Sequence, residues 1–381
     1  MKRKNGYCLS FTWFALPVLC FLLLGCSKKK EESVVLKDTF KDAFLIGTAV
    51  TANQLLGADS LGLNVIKENF NSIVAENCMK SEETQPEEGK FYFDLADRFV
   101  AFGEQNNMYT IGHTLVWHSQ APEWFFVDEK GNDVSREVLI ERMRTHINTV
   151  VKRYKGAIKG WDVVNEAILD DGSFRNSKFL QIIGDDYISL AFQFAHEADP
   201  DAELYYNDYN EWHVGKRDAI IDLVKSLKEK GLRIDAVGMQ GHMGMDYPTL
   251  EEYEETIEAY HKAGVKVMIT EWDISALPLA SRTVGANISD TVAYKKEINP
   301  YVEGLPESVQ SEWEKRYIDF FKLFLEHQDK ISRVTLWGVS DAVSWKNNYP
   351  VTGRTDYPLL FDRQYKPKPV VDSIINLIKN K

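Results

Sequence analysis

Two glutamates end two similar stretches of the chain. Glu166 directly follows the strand-like run Trp161–Asn165. Glu271 follows a second such run, Lys266–Thr270, 105 residues further on. Short apolar runs with β-branched residues indicate buried strands. Two carboxyl groups that flank one bond can act as an acid with a base, or as an acid with a nucleophile, which is the chemistry of glycosidic bond hydrolysis.

Eight strand-like runs alternate with polar loops and helical patterns, and the two glutamates close the fourth and the seventh run. The runs are Phe44–Thr48, Asn71–Ala75, Tyr109–His113, Trp161–Asn165, Glu203–Asn207, Ala236–Gln240, Lys266–Thr270 and Arg333–Trp337. This order predicts an α/β fold, a (β/α)8 TIM barrel that forms a single domain over residues 40–381. A doubly wound sheet would need a glycine-rich phosphate turn after the first strand, and the residues after Gly47 do not provide one.

Two of the helical patterns are especially clear. The first has apolar residues at steps of three and four, namely Leu139, Met143, Ile147, Val150, Val151 and Tyr154. The second has the aromatic residues Trp313, Tyr317, Phe320, Phe321 and Phe324, and it runs on to His327. Such stripes indicate helices that pack one face on a core. Gly264 is predicted to end the helix before the seventh strand.

Polar and aromatic side chains cluster at the predicted strand ends. They are Glu76, Asn77, Lys80, His113, Trp117, His118, Asn165, Glu166, Asn207, Asp208, Tyr209, Asn210, Gln240, His242, Glu271, Asp273, Trp337 and Trp345. Because the C-terminal ends of barrel strands meet at one rim, we expect these side chains to line one bowl. Amides, carboxylates and ammonium groups bind sugar hydroxyls, and indoles cover the C–H faces of sugars. The strand ends therefore predict a carbohydrate site.

A metal centre is the alternative reading of the rim histidines. His113, His118 and His242 could bind zinc together with a nearby carboxylate. However, the chain has no His-x-His or His-Glu-x-x-His spacing, and the three histidines belong to separate units. We therefore expect no metal and no cofactor. The net charge of −12 also argues against nucleic acid or an anionic membrane surface as a partner.

The N-terminus has the features of a bacterial lipoprotein leader. A basic start is followed by the apolar stretch Leu9–Leu24, which Pro17 interrupts. Leu23-Leu24-Gly25-Cys26 matches a lipoprotein cleavage box, in which the cysteine is acylated and becomes the new N-terminus. We predict a signal peptide over residues 1–25 and a flexible tether over residues 26–39. Lipid on Cys26 would anchor the protein in the bacterial cell envelope, at the outer membrane, facing the periplasm or the surface.

One long segment, Leu277–Ser311, follows the second glutamate and contains several Pro and Gly residues. It is unusually long for a loop after a barrel strand. It could wall one side of the cleft, or it could be a surface excursion.

At this point the residues resemble glycoside hydrolase family 10, the endo-β-1,4-xylanases, over nearly all of residues 40–381. The resemblance rests on six motifs in the family's order. They are Glu76-Asn77-Cys78-Met79-Lys80, Gly112–Gln120 (GHTLVWHSQ), Trp161–Glu166 (WDVVNE), Gln240-Gly241-His242, Ile269-Thr270-Glu271-Trp272-Asp273, and Trp337–Asp341 with Trp345. The chain departs from many family members at Ser81, where a Trp is common after the lysine, so the packing behind that end of the cleft is expected to differ.

The resemblance implies a role for each site residue. Glu166 would be the acid/base, Glu271 the nucleophile, and His242 with Asp273 the pair that orients the nucleophile. The residues implied to bind substrate are Glu76, Asn77, Lys80, His113, Trp117, Asn165, Tyr209, Gln240, Trp337 and Trp345. The implied activity is a retaining endo-β-1,4-xylanase that acts on xylan or xylo-oligosaccharides through a covalent glycosyl-enzyme intermediate.

Two other functions remain open from the sequence. One is a retaining barrel glycosidase that acts on another β-1,4-glucan, as a cellulase does. The other is a non-catalytic lipoprotein that binds xylan, although a binding protein would not need both glutamates together with His242 and Asp273. Carboxyl groups about 5 to 5.5 Å apart would retain the anomeric configuration, and a separation of about 6.5 to 9.5 Å would invert it. Strands four and seven face each other across a narrow barrel, so the shorter distance is within reach.

Overall fold

The computed structural model describes residues 1, 4–7, 9, 35–280 and 292–379. The chain divides into two units, Met1–Ser33 and Val34–Lys381. The second unit begins six residues before the predicted domain boundary at residue 40. A short helix, Leu36–Thr39, lies in the segment predicted as tether. Leu36 and Phe40 are fully buried, because these apolar residues one helical turn apart pack on the barrel domain. The end of the predicted tether is therefore part of the fold.

Eight parallel strands close into a barrel. They are β1 (Leu45–Val50), β2 (Ser72–Ala75), β3 (Tyr109–Trp117), β4 (Gly160–Asn165), β5 (Glu203–Asp208), β6 (Ala236–Met239), β7 (Lys266–Ile274) and β8 (Ile331–Leu336). Each strand pairs in parallel with the next in the chain, and β8 pairs with β1 to complete the ring. The predicted (β/α)8 fold is confirmed.

Four strands continue further than the sequence pattern indicated, β1 by two residues, β5 by one, and β3 and β7 by four each. β3 continues past His113 to Trp117, and β7 continues past Thr270 to Ile274. The residues in both extensions are buried, the charged Glu271 and Asp273 included, so each strand goes on beyond its first polar side chain. The end of β7 is paired with a two-residue strand, His242–Met243, through His242 and Asp273. As a result, Glu271 lies within a strand rather than after it.

Helices connect the strands and cover the outside of the barrel. The α-helices are Leu36–Thr39, Ala52–Leu55, Ser60–Asn69, Ser81–Thr84, Asp94–Gln105, Arg136–Arg153, Lys178–Ile183, Tyr187–Ala198, Val214–Glu229, Leu250–Lys262, Glu307–Glu326 and Pro369–Lys379. Four 3₁₀ turns are also described, at Glu123–Phe125, Lys296–Ile298, Asp341–Val343 and Trp345–Asn347. In the part of the chain that the structure describes, no helix combines the length and apolar character needed to cross a membrane.

The two clear helical patterns are confirmed. The apolar face predicted between Leu139 and Tyr154 is buried in the helix Arg136–Arg153 and its C-terminal cap. The aromatic stripe is buried in Glu307–Glu326. Gly264 follows the helix Leu250–Lys262 with a φ of +84°, a backbone conformation that suits glycine at a helix end, and β7 begins two residues later.

The long segment after β7 contacts the segment after β8 where the structure describes it. Arg354 donates to the carbonyl of Pro278 at 2.9 Å, and the backbone N–H of Thr355 donates to Asn299 at 3.0 Å. The Tyr357 hydroxyl donates to the carbonyl of Tyr301 at 2.7 Å. Both described parts of this segment are therefore hydrogen-bonded to the loop that follows the last strand. Residues 281–291, in its middle, are outside the described part.

Candidate active site

The predicted site residues lie at or just beyond the C-terminal ends of the barrel strands. Glu76, Glu166, Tyr209, Gln240 and Trp337 each occupy the first position after a strand. Others lie in the C-terminal halves of β3, β4 and β7, or in the segments that follow β2, β6 and β8. Hydrogen bonds and ring contacts connect most of them into one cluster, as described below. The structure thus brings the predicted residues together at one rim.

The backbone at Glu166 turns sharply at the end of β4. Its φ is +57°, an unusual conformation for a residue with a side chain. Its N–H donates to the carbonyl of Asn207 at 2.9 Å, and its carbonyl accepts from Arg175 Nε at 2.8 Å. The next N–H, of Ala167, donates to the hydroxyl of Tyr206 at 3.0 Å. These contacts hold the strained residue in place, and the turn lets the consecutive side chains of Asn165 and Glu166 face the same site.

The Glu166 carboxyl is buried and accepts two side-chain hydrogen bonds. Trp117 Nε1 donates at 2.8 Å, and Gln240 Nε2 donates at 2.9 Å. Burial raises the pKa of Glu166, and the nearby negative charges of Asp208 and Glu271 act in the same direction. The hydrogen bonds from Gln240 and Trp117 oppose this rise only in part. A carboxyl group in this setting can carry a proton at a pH where an exposed one cannot.

The Glu271 carboxyl is equally enclosed but has the opposite tendency. Burial alone would raise its pKa. The hydrogen bonds from His242 and Asn207 and the charge of His113 outweigh burial, so the pKa of Glu271 lies below its ordinary value. His242 Nε2 is 3.3 Å from Oε2, and Asn207 Nδ2 donates to Oε1 at 2.8 Å. Glu271 is therefore held as a carboxylate.

His242 lies between two carboxylates. Its Nδ1 is 3.1 Å from Asp273 Oδ2, on the side opposite to Glu271. Burial lowers the pKa of His242, but Asp273 and the hydrogen bonds to Asp273 and Glu271 outweigh this effect and raise it to about 9. Asp273 is fully buried and also accepts from Trp345 Nε1 at 2.9 Å. The imidazole is thus fixed in orientation and favoured as a donor to Glu271.

Three amides join the two glutamates. Gln240 Nε2, which donates to Glu166, is also 3.4 Å from Asn165 Oδ1. Asn165 Oδ1 accepts from Asn207 Nδ2 at 2.9 Å, and Asn207 in turn donates to Glu271. Thr270 Oγ1 donates to Asn207 Oδ1 at 2.6 Å, which fixes the direction of this amide. Because Asn165 Oδ1 already has two donors, its Nδ2 is the group that can donate to a sugar hydroxyl.

One side of the site contains a buried ammonium group. Lys80 Nζ donates to Asn77 at 2.9 Å and to Gln120 at 2.8 Å, and it lies 4.8 Å from the ring centre of Trp117. Burial lowers the pKa of Lys80, although the carboxylates of Glu271, Glu76 and Glu166 oppose this. Burial raises the pKa of Glu76, against the nearby Lys80. This group of donors and acceptors suits the hydroxyls of a neutral ligand.

Three predicted residues, His113, Trp117 and Trp345, have mainly protein contacts. His113 Nδ1 is 2.9 Å from Asp162 Oδ2, and its ring meets Trp337 edge to face at 5.3 Å. Trp117 is 8% exposed, and its indole N–H donates to Glu166, so this N–H is already used within the protein. The ring of Trp345 packs on that of His242, with ring centres 4.9 Å apart, and stacks with that of Tyr349, with ring centres 5.4 Å apart.

Tyr209 is connected to Glu166 through Arg175, whereas Lys80 is connected to it through Trp117. Its hydroxyl accepts from Arg175 at 2.8 Å, and Lys216 Nζ is 3.9 Å from its ring centre. Arg175 therefore connects the ring of Tyr209 with the backbone of Glu166. Among residues 35–280 and 292–379, no group of three or more His, Cys, Asp or Glu side chains could hold a metal ion.

Sequence reasoning did not identify several residues of this site. Asn207 was noted at a strand end but was given no role. Arg175 and Lys346, whose Nζ is 3.3 Å from Asp273 Oδ1, were not singled out at all. Arg175 and Lys346 lie in loops, where spacing does not reveal which way a side chain points. The position of Asn207 directly after a strand-type run was the one available signal. Gln120 was noted only as part of a motif.

The comparison with known families agrees with this geometry. The sequence profile described as Glycosyl hydrolase family 10 matches residues 35–377. The chain belongs to glycosyl hydrolase family 10. The predicted family and enzyme class, a glycoside hydrolase, are confirmed.

Two relatives of this family 10 protein match it over almost their whole length. Endo-1,4-beta-xylanase A of Xylanibacter ruminicola is 53% identical over 377 residues, which cover 99% of this chain and 100% of that protein. An endo-1,4-beta-xylanase of Geobacillus stearothermophilus is 44% identical over 349 residues, covering 90% of this chain and 98% of the relative.

Two solved structures are similar to this chain over most of its length. A GH10 endoxylanase from a sugarcane soil metagenome has a TM-score of 0.86 at 46% identity and covers 90% of this chain and 99% of its own. A mutant protein solved in complex with xylotriose has a TM-score of 0.82 at 38% identity and covers 90% of this chain and 100% of its own. Cys26 and the rest of the predicted lipoprotein box lie outside the described residues.

Proposed function

We propose that this family 10 protein is an endo-1,4-β-xylanase that hydrolyses xylan with retention, through a covalent glycosyl-enzyme intermediate. The observation that carries the mechanism is the opposite electrostatic setting of two buried glutamates that three amides link. The environment favours the protonated form of Glu166 and the ionised form of Glu271. These two environments supply one acid and one carboxylate, which glycosidic bond hydrolysis needs, and the proposal of retention rests on the resemblance to family 10.

In the first step, Glu166 gives its proton to the glycosidic oxygen while a Glu271 oxygen attacks the anomeric carbon. The leaving chain departs with that proton, and the sugar is now bonded to Glu271. His242 and Asn207 donate to the two Glu271 oxygens, which fixes the carboxylate for attack. Asn165 is placed to donate to the hydroxyl next to the reacting carbon, a contact that strengthens as positive charge develops there.

In the second step, Glu166 is a carboxylate and takes a proton from water. The oxygen of that water attacks the anomeric carbon and displaces Glu271. Trp117 and Gln240 hold both oxygens of Glu166, so the group stays in position in both charge states. The arrival of negative charge on Glu166 is helped by the loss of negative charge on Glu271, because the two groups interact.

The names of the relatives and the ligand of one matching structure support xylan as the substrate. Two proteins that match this chain over 98% or more of their own length are named endo-1,4-beta-xylanases, and one matching structure holds xylotriose. A cellulase-like activity on another β-1,4-glucan is the second candidate enzyme. A non-catalytic xylan-binding role is disfavoured by the His242–Asp273 pair behind Glu271, which binding alone would not need.

The test is a substrate comparison with a matched control. Wild-type protein and the Glu271→Gln variant are incubated with xylan and with carboxymethyl-cellulose, and products are separated by size. We expect a ladder of xylo-oligosaccharides from wild type, little change in cellulose, and no products from the variant. Cleavage of cellulose at a similar rate would point to the cellulase-like alternative. Binding of xylan without turnover by wild type would favour the binding role.

We further propose that the protein is lipid-anchored at Cys26 in the bacterial cell envelope, at the outer membrane, facing the periplasm or the cell surface. The support is the cleavage box before Cys26 and the basic and apolar stretches that precede it. Mass spectrometry of the mature N-terminus should find acyl chains on Cys26, and Cys26→Ala should release the protein from the membrane fraction. An unmodified N-terminus at another residue would contradict this proposal.

A further inference from the structure

Lys346 occupies a buried position next to the pair that orients the nucleophile. It follows Trp345 in the 3₁₀ turn Trp345–Asn347 of the loop after β8. Its side chain is 15% exposed, and its Nζ is 3.3 Å from Asp273 Oδ1. The other oxygen of Asp273 is the one that His242 and Trp345 contact. An ammonium group enclosed in this way requires a specific ionic partner, and Asp273 is that partner.

Together these contacts form a row of groups with alternating charge. Glu271, His242, Asp273 and Lys346 follow one another at 3.3, 3.1 and 3.3 Å. With the imidazole protonated, the row has two negative and two positive charges and is neutral. Without Lys346, a single imidazole would lie between two carboxylates with one negative charge in excess. The ionisable groups that face Lys346 and His242 from the surrounding elements are Glu271, Asp273, Tyr247 and Asp356.

We propose that Lys346 is a positioning residue for the hydrolytic reaction: it fixes Asp273 and balances its charge, and so sets how firmly His242 holds the proton that it shares with Glu271. This inference rests on the proposed role of Glu271 as nucleophile. Glu271 must be a reactive carboxylate when it attacks and a good leaving group when water displaces it. The strength of the His242 hydrogen bond affects these two requirements in opposite ways, so an intermediate strength is favourable.

The charge of Lys346 acts in the direction that this role requires. Asp273 raises the pKa of His242, whereas Lys346 lowers it. The same ammonium group contributes to the lowered pKa of Asp273, which burial alone would raise. Removal of the charge should therefore leave the imidazolium protonated up to a higher pH.

Two substitutions separate the charge of Lys346 from its size. Lys346→Met keeps the length of the side chain and removes the charge, and Lys346→Arg keeps the charge. The control is Lys366→Met, which removes an exposed lysine from the same loop region. Histidine side chains are labelled with ¹⁵N, and the signal of His242 is assigned from its loss in His242→Gln. The imidazole is then titrated by NMR in each protein, and kcat and KM are measured on xylan.

In Lys346→Met we expect the His242 titration to move upward by about one pH unit, the effect of losing one close charge. We expect kcat to fall roughly 10-fold with KM changed less than about 2-fold, since the contact acts on the nucleophile rather than on substrate binding. Lys346→Arg should restore most of both properties, and Lys366→Met should match wild type.

A purely structural role would give a different pattern. In that case Lys346→Met and Lys346→Arg would lower thermal stability and kcat together, and the His242 titration would not move. Either an unmoved or a downward titration in Lys346→Met overturns the proposal. If wild type itself does not cleave xylan, the proposed function fails, but the NMR titration does not need substrate and still decides whether Lys346 controls His242.

Discussion

At the scale of single residues, the central feature is that two glutamates of the same chemical type have different surroundings. Burial and the nearby carboxylates raise the pKa of Glu166, and the hydrogen bonds from two neutral donors offset this rise only in part. Glu271 accepts from His242 and Asn207, so the pKa is lowered. Both groups are buried, and burial alone would raise the pKa of each. The identity of the hydrogen-bond donors therefore decides the role of each residue.

The assignment of Glu271 is tested by removing its carboxyl group. Glu271→Ala should lose activity by on the order of 10⁴-fold, because no covalent intermediate can form. Azide should fit in the space left by the side chain and restore turnover of an aryl β-xylobioside. The product should be the α-glycosyl azide, since the azide attacks from the side where Glu271 stood. Nuclear magnetic resonance of the isolated product gives its configuration. A β-azide, or activity that stays near the wild-type level, would show that Glu271 is not the nucleophile.

The hydrogen bond from Trp117 to Glu166 makes a prediction about pH. This bond stabilises the carboxylate and so lowers the pKa of Glu166. In Trp117→Phe the pKa should rise, and the alkaline limb of kcat/KM against pH should move upward by about one unit. The control is Trp124→Phe, which removes an indole donor that bonds the carbonyl of Gln85 instead. An alkaline limb that stays in place or moves downward in Trp117→Phe would contradict the account.

Site residues at strand ends could be predicted from the sequence. The loop residues that hold them in position could not. Glu166, Glu271, Gln240 and His242 stand at or near the ends of runs that are easy to recognise. Arg175 and Lys346 act through contacts across loops, and no periodicity indicates those contacts. Their importance follows from three-dimensional proximity, which one sequence does not contain.

At the scale of elements, the strand ends determine the geometry of the site. All eight strands were predicted at their correct places, because each is a short buried run between polar loops. The ends of β3 and β7 were predicted four residues too early, because His113 was taken as the last residue of β3 and Glu271 as the first loop residue after β7. In both cases the strand continues with buried residues. The extension of β3 pairs with β4, and the extension of β7, which carries Glu271, pairs with β8 and with the short strand His242–Met243.

The turn at Glu166 could not be predicted from propensity. A glutamate rarely adopts a φ of +57°, and nothing in the local sequence requires it. Contacts from Asn207, Arg175 and Tyr206, all distant in sequence, hold the backbone there. The need to place Asn165 and Glu166 in one site explains why this strained conformation is maintained.

The helix Arg136–Arg153 contains a buried histidine that predicts how stability depends on pH. His146 is 1% exposed, and its Nδ1 is 2.9 Å from Gln85 Oε1. Burial lowers the pKa of His146 to about 4, below its ordinary value near 6.5. The unfolded chain therefore binds more protons between these values. The contribution to the free energy of unfolding is complete above about pH 6.5 and decreases as the pH falls toward 4, by about 3 kcal/mol in total.

Urea unfolding at several pH values tests this contribution. In His146→Gln, the free energy of unfolding should depend less on pH between 4 and 6.5 than it does in wild type. His261→Gln, which replaces an exposed histidine at the end of another helix, is the control and should keep the wild-type dependence. If His146→Gln retains the full dependence on pH, His146 is not the group responsible.

At the scale of the whole molecule, the fold and the family were predicted from the order of the motifs and are confirmed by the comparisons. The C-terminal ends of the eight barrel strands meet at one rim. Site residues as far apart in the sequence as Glu76 and Trp345 can therefore share one site. The start of the folded unit was predicted too late, because Leu36 and Phe40 are too few to form a recognisable helical pattern. The lipid anchor at Cys26 stays a prediction.

The acidic character of the chain fits a neutral substrate. With 57 acidic and 45 basic residues, the protein has no charge-based attraction to an anionic polymer. The site itself combines amides, one buried ammonium group and indoles, which are groups that bind hydroxyls and C–H faces. These properties apply to both xylan and cellulose, and so the choice of polymer depends on the relatives and on the substrate comparison proposed above.

The most direct test of the account is the anomeric form of the first product. Protein lacking the predicted leader, residues 28–381, is mixed with xylo-oligosaccharides, and proton NMR spectra are recorded within the first minutes. Two successive displacements at the anomeric carbon, by Glu271 and then by water, predict that the β-anomer of the new reducing end appears first and converts slowly to the α/β mixture. If the α-anomer appears first, water attacks directly, Glu271 acts as a base, and the proposed mechanism is wrong.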